Sequence, residues 1–196
     1  MFDIYNESIL LIGPPNVGKS QVSSMLSERT GLPVVSLEAS RDKYYAEIGY
    51  DKNYASKLKR EEGILARYKY WKKFESYHVS KFLPTLKEPS IVKFEASQTV
   101  YEDEGLFNAV KNAMVKFKNI ILLLPDIDLQ DCWSKINKNG KVPIGSDLSK
   151  LNWHLVSSPC NSNLATMTIC ICGRNSTEIV DEILAFVEKN KKLVNN

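Results

Sequence analysis

Residues 9–38 read "ILLIGPPNVGKSQVSSMLSERTGLPVVSLE" and contain the spacing G-x-x-x-x-G-K-S from Gly13 to Ser20. Ile9-Leu10-Leu11-Ile12 is a short apolar run of strand character, and Gly13 ends it. From Lys19 the chain reads as a helix, with Val22, Met25 and Leu26 on one face and Gly31 just past its end. Strand, glycine loop and helix in that order are the context a phosphate grip requires. Backbone N–H groups of such a loop and the helix N-terminus form an anion site. The candidate nucleotide-binding residues are therefore Gly13, Pro14, Pro15, Asn16, Val17, Gly18, Lys19, Ser20 and Gln21. Lys19 is expected to reach the β- and γ-phosphates, and Ser20 to hold Mg²⁺.

Bulk properties narrow the classes. A chain of 196 residues with 43% hydrophobic content suits one α/β domain with a modest insertion. A net charge of +3 is too mild to imply nucleic acid, and no apolar stretch has the length of a membrane span. Asp3 and Glu7 precede the first strand, so the N-terminus does not read as a signal peptide, and a cytoplasmic protein is expected. The four cysteines are Cys132, Cys160, Cys170 and Cys172. Cys170 and Cys172 lack a second C-x-C or C-x-x-C for a zinc site, and all four read as buried reduced thiols.

Five apolar runs read as strands, at 8–12, 33–37, 90–95, 119–124 and 167–172. Helical patterns lie between them, at 104–117 and at 176–190, the latter with Ser176 as expected N-cap. Such alternation implies a parallel sheet covered on both faces. The terminal "KNKKLVNN" reads as a fraying tail.

Residues 39–88 are too long for a loop and read as a helical insertion. They hold Tyr44, Tyr45, Tyr50, Tyr54, Tyr68, Tyr70, Tyr77, Trp71 and Phe74, with Arg41, Arg67, Lys72, Lys73 and other bases. The bland reading makes the aromatics the insertion's own core and leaves the lysines solvated on its outer face. The sharper one turns a few basic and aromatic residues toward the phosphate site to hold a second substrate or a protein partner. Stacking on single-stranded nucleic acid is a minor option, because the charge is balanced.

Over approximately residues 8 to 188 the chain resembles the shikimate kinase-like branch of the P-loop kinases, on "ILLIGPPNVGKSQVSSMLSERTGLPVVSLE" and on the ending "SPCNSNLATMTICICGRNSTEIVDEIL". The resemblance implies a three-layer α/β P-loop fold with a five-stranded parallel sheet in the order 2-3-1-4-5. It also implies a helical substrate-binding insertion after strand 2, a lid-like loop over about 134–150, and ATP with Mg²⁺ as cofactors. Adenine would lie against the loop that carries Arg174 and Asn175. Arg67 stands where an arginine of the family holds the acceptor's carboxylate. The departures are equally plain. The family's Asp-x-Asp pair is Ser36-Leu37-Glu38 here, and its glycine triplet is Glu95-Ala96-Ser97. The lid segment "INKNGKVPIG" offers Lys138 and Lys141 but no arginine, and Ser157 or Ser158 stands where an arginine is expected before Pro159. Shikimate is therefore not the expected substrate.

Phosphoryl transfer rests on positioning and positive charge. Lys19, Glu38 and Lys141 are the expected catalytic residues, with Glu38 accepting a proton from the attacking hydroxyl. Glu38 and Arg67 are the expected substrate contacts, and Ser20 and Glu95 the expected metal ligands. Asp126 and Asp128 in "ILLLPDID" read as a helix cap rather than a metal-binding strand end, because Pro125 interrupts the run. His78 and His154 read as structural. Three functions stay open: a small-molecule kinase, a catalytically weak nucleotide-binding or ATPase module acting through a protein partner, and a nucleotide or polynucleotide kinase.

Overall fold

The computed structural model describes residues 7–194. The expectation for the N-terminal segment rests largely on residues 1–6, which lie outside the described residues. Five strands form one parallel sheet: β1 Ile9–Ile12, β2 Val34–Ser36, β3 Ile91–Lys93, β4 Asn119–Leu124 and β5 Met167–Cys170. Their order is β2-β3-β1-β4-β5, as expected. The helices are α1 Lys19–Thr30, α2 Arg41–Glu47, α3 Lys52–Glu61, α4 Ile64–Phe82, α5 Glu104–Met114, α6 Leu129–Asn139, α7 Asp147–Ser157, α8 Cys160–Leu164 and α9 Ser176–Val194. No helix among the described residues is long and apolar enough to cross a membrane.

β1 is the centre of the sheet and is buried along its whole length. Alternate side chains serve opposite faces. Ile9 and Leu11 pack with Val22, Leu26, Val180 and Ile183 under α1 and α9. Leu10 and Ile12 pack with Val79, Leu83, Val110 and Met114 under α4 and α5. Removing such a side chain from water stabilises by roughly 1.5–3 kcal/mol. A strand buried on both faces must be apolar throughout, which is why these runs read clearly.

Several boundaries move. The long periodic pattern of the insertion is cut at Gly63, whose φ of 92° and ψ of 179° precede α4. Three helices and two 3₁₀ turns therefore fill 37–85. The aromatics are indeed largely the insertion's core, with Tyr44, Tyr45, Tyr68 and Phe74 buried. Lys72 is not solvated: it is buried beside Glu75 and lies over the Tyr68 and Tyr101 rings. Asp128 caps α6, accepting from the N–H groups of Gln130 and Asp131. Asn175, not Ser176, caps α9, because its Oδ1 accepts from Glu178 N–H at 3.0 Å. Cys172 lies beyond β5 and is exposed, unlike Cys132 and Cys160. The expected tail stays helical to Val194. The lid-like segment is a loop only over residues 140–146, since 134–139 end α6 and 147–150 begin α7.

Candidate active site at the phosphate loop

The loop Gly13–Gly18 joins β1 to α1. Gly13 has φ 135°, and a Cβ there would lie 2.4 Å from the Leu123 carbonyl oxygen of β4. Only glycine lets the chain turn this close to the neighbouring strand. Gly18 has φ 90° and forms the N-cap of α1 in a left-handed conformation. Lys19 is buried, and its Nζ donates to the carbonyl oxygens of Gly13 (2.8 Å) and Pro14 (2.7 Å). Burial pushes its pKa down to about 8, with Glu95 opposing and Lys93 adding to the shift. The side chain thus folds back over the loop, and an incoming phosphate offers the ammonium a better partner than two neutral carbonyls.

A cavity opens in front of the loop, walled by residues 15–21 together with Lys93, Glu95 and Asn139. Lys93 was not singled out from sequence. It ends β3, pairs in register with Leu11 of β1, and its Nζ donates to Ser20 Oγ at 3.1 Å. Asn139 ends α6, and a Cβ on the adjacent Gly140 would lie 2.5 Å from Asn16 Nδ2. The α6 end therefore rests against the loop through Asn139 and Gly140, whereas Lys138 and Lys141 do not line the cavity. Lys141 has a positive φ of 52°.

Glu95 is shared with a second cavity of about 190 Å³, lined also by Pro15, Arg67, Tyr68, Trp71 and residues of α7. Glu95 is exposed, and its carboxylate also accepts from the Gln98 N–H as a cap on the turn after β3. The Arg67 guanidinium stacks over Trp71 at 4.4 Å, and its buried Nε has no hydrogen-bond partner. Arg67 and Trp71 also line a third cavity of about 480 Å³ among α2, α3 and α4. Ser97 ties this region to the insertion: its carbonyl oxygen accepts from Lys72 and its hydroxyl donates to Glu75.

The fold thus brings together Lys19, Ser20, Gln21, Glu95 and, on the far wall, Arg67. Glu38 is elsewhere. The chain leaves the sheet at Ser36 and turns into a 3₁₀ segment, where the exposed Glu38 carboxylate lies 3.9 Å from Arg41. It lines neither cavity that holds Glu95. Arg174 is turned toward α9, with Nη2 2.6 Å from Glu182 and 3.2 Å from the Glu178 carbonyl oxygen. Asn175 is engaged as the cap of that helix.

Solved structures with a similar fold include kinases. Shikimate kinase from Acinetobacter baumannii, in complex with shikimate, superposes with a TM-score of 0.59 at 14% identity, over 96% of each chain. A gluconokinase from Sinorhizobium meliloti 1021 gives 0.59 at 15% identity, over 97% of each chain. Shikimate kinase from Aquifex aeolicus gives 0.57 at 19% identity, over 94% of this chain and 98% of that one. The chain has the shikimate kinase-like P-loop kinase fold. No protein-family model matches it. At these identities the likeness extends to the P-loop kinase fold and not to a substrate.

An Mg²⁺ ion in such a site ordinarily takes the loop's Ser/Thr hydroxyl and an acid on a neighbouring strand. Here the Ser20 hydroxyl oxygen accepts from the Lys93 ammonium, and Lys93 itself occupies the strand position facing the loop. The Lys93 ammonium beside Ser20 does not suit a cation bound there, while Glu95, the other expected metal ligand, walls the same cavity.

Proposed function

We propose that this protein binds ATP at the Gly13–Ser20 loop and passes its γ-phosphate to a hydroxyl of a small molecule held between Pro15, Arg67, Trp71 and Glu95. The observation that carries this reading is the sharing of Pro15 and Glu95 by two adjoining cavities, one before the phosphate loop and one under the insertion. A donor and an acceptor seated in them would meet at Glu95. Adenine would lie at the Gly173–Ser176 loop, beyond the end of β5. The acceptor cavity is largely apolar, with Arg67 as its cation. An acceptor with a small apolar body and one anionic group suits it. Shikimate is not favoured, since Glu95-Ala96-Ser97 replaces the glycine triplet of that pocket.

For the proton of the attacking hydroxyl, Glu95, expected as a metal ligand, is better supported than the expected Glu38, which is paired with Arg41 outside both cavities. Glu95→Gln is expected to lower acceptor-dependent ADP release by about 10²-fold at saturating ATP, the usual scale of a general base. Glu38→Gln should have a much smaller effect. A Glu95→Gln protein with full transfer activity would overturn this assignment.

A second reading, a weakly catalytic nucleotide-binding module that works through a partner, is favoured by one observation. The cavity before the loop contains two lysines and no arginine. A lysine is a point charge without the bidentate fork that stabilises a transferring phosphoryl group. Turnover without an acceptor should therefore be slow. Acceptor-stimulated ADP release distinguishes a kinase from such a module.

A further inference from the structure

We propose that Lys93 takes the role of the divalent cation at this phosphate site, so that the loop holds a metal-free nucleoside triphosphate. The inference rests on the reading of Gly13–Ser20 as a nucleotide site and concerns the counter-charge used there.

Three observations carry it. First, the Lys93 ammonium donates to Ser20 Oγ at 3.1 Å, so a positive charge already stands beside the oxygen a metal would bind. Second, Lys93 lies at the end of β3, the strand that pairs directly with β1, in register with Leu11 two residues before the loop. An acid on a neighbouring strand is what normally completes a magnesium site; here a cation takes the position beside Ser20, and the acid Glu95 follows two residues later on the same cavity wall. Third, among the described residues no carboxylate lies within ion-pair distance of Lys93, as none does of Lys19 in the same cavity, where each ammonium donates only to oxygens of the loop and α1.

Charge complementarity points the same way. Lys19 and Lys93 face one cavity and repel each other until an anion arrives. The metal-free triphosphate is more negative than its magnesium complex by the two charges of the metal, so it matches the pair better. A divalent ion at Ser20 would sit against the Lys93 ammonium and be repelled. Glu95 is the nearest acid on the same strand end, and it is partly committed to capping the following turn.

The test is ATP titration by calorimetry in EDTA and in excess MgCl₂, on the wild-type chain and on Lys93→Met and Lys93→Asp. Wild type is expected to bind in EDTA at least as tightly as in magnesium. Lys93→Met should bind about tenfold more weakly in EDTA, equivalent to about 1.4 kcal/mol. Lys93→Asp, which restores an acid opposite Ser20, should bind more than tenfold better in magnesium than in EDTA. Wild-type binding that falls more than tenfold on chelation would overturn the proposal and leave the phosphate loop as a nucleotide site. Unchanged EDTA binding by Lys93→Met would overturn it as well. Absence of ATP binding to wild type under both conditions would remove the nucleotide reading itself, and this proposal with it.

Discussion

Lys72 and Glu75 stand one turn apart on α4 as a buried ion pair, each side chain about 5% exposed, and both also engage Ser97 beyond β3. The pair couples the insertion to the segment that presents Glu95. Removing one member leaves the other charge buried without its partner, which costs about 3–5 kcal/mol. Lys72→Met should therefore lower the urea midpoint sharply, and Glu75→Leu should do the same. The double variant Lys72→Met/Glu75→Leu should recover a large part of the loss, because it buries no orphan charge. Equal or additive losses in the double variant would contradict this account of the pair.

The two loop glycines should differ in their tolerance. Both have positive φ, but Gly18 has open space where a Cβ would go, while Gly13 meets the Leu123 backbone at 2.4 Å. Gly18→Ala is expected to cost roughly 1–2 kcal/mol from the left-handed backbone alone. Gly13→Ala must in addition displace β4 from β1 and should lower Tm by a clearly larger step, with loss of ATP binding. Thermal unfolding of the two variants side by side checks the order.

Nucleotide affinity should depend on pH through Lys19. Its pKa is pushed down to about 8, first by burial and then by Lys93, against the pull of Glu95. The charged form binds phosphate, so affinity should be flat near neutrality and fall as pH rises past about 8, approaching tenfold per unit. Stability moves the opposite way. The depressed pKa makes the buried ammonium a cost below about 8, relieved as pH rises toward the ordinary lysine value of 10.5. Calorimetry at pH 7, 8 and 9 in buffers of different ionisation enthalpy should show proton uptake on binding above pH 8, absent in Lys19→Arg.

The sheet was legible because β1 and β4 are nearly continuous apolar runs, the pattern of strands covered on both faces. The phosphate loop was legible because its spacing and flanking elements are local. What misled was anything decided by register or by tertiary burial. Lys72 lies in a run of bases and reads as solvated, yet the Tyr68 and Tyr101 rings and Glu75 enclose it. Lys93 sits in "SIVKFE" as a polar residue at the end of an apolar strand, and only the pairing with β1 brings it to Ser20. Glu38 follows β2 closely enough to read as a strand-end acid, but the chain turns at Leu37 and carries it away toward Arg41. The resemblance implies a lid-like loop over about 134–150, whereas residues 134–139 continue α6.

The central claim is that the loop from Gly13 to Ser20 is a nucleotide site whose main fixed charge is Lys19. The most direct test is a calorimetric ATP titration of wild type against Lys19→Ala at pH 7, with both variants shown to be folded. The predicted result is clear binding by wild type and a loss of about 10²-fold or more in Lys19→Ala, on the order of 2.7 kcal/mol. Equal ATP affinity in the two proteins would contradict the account.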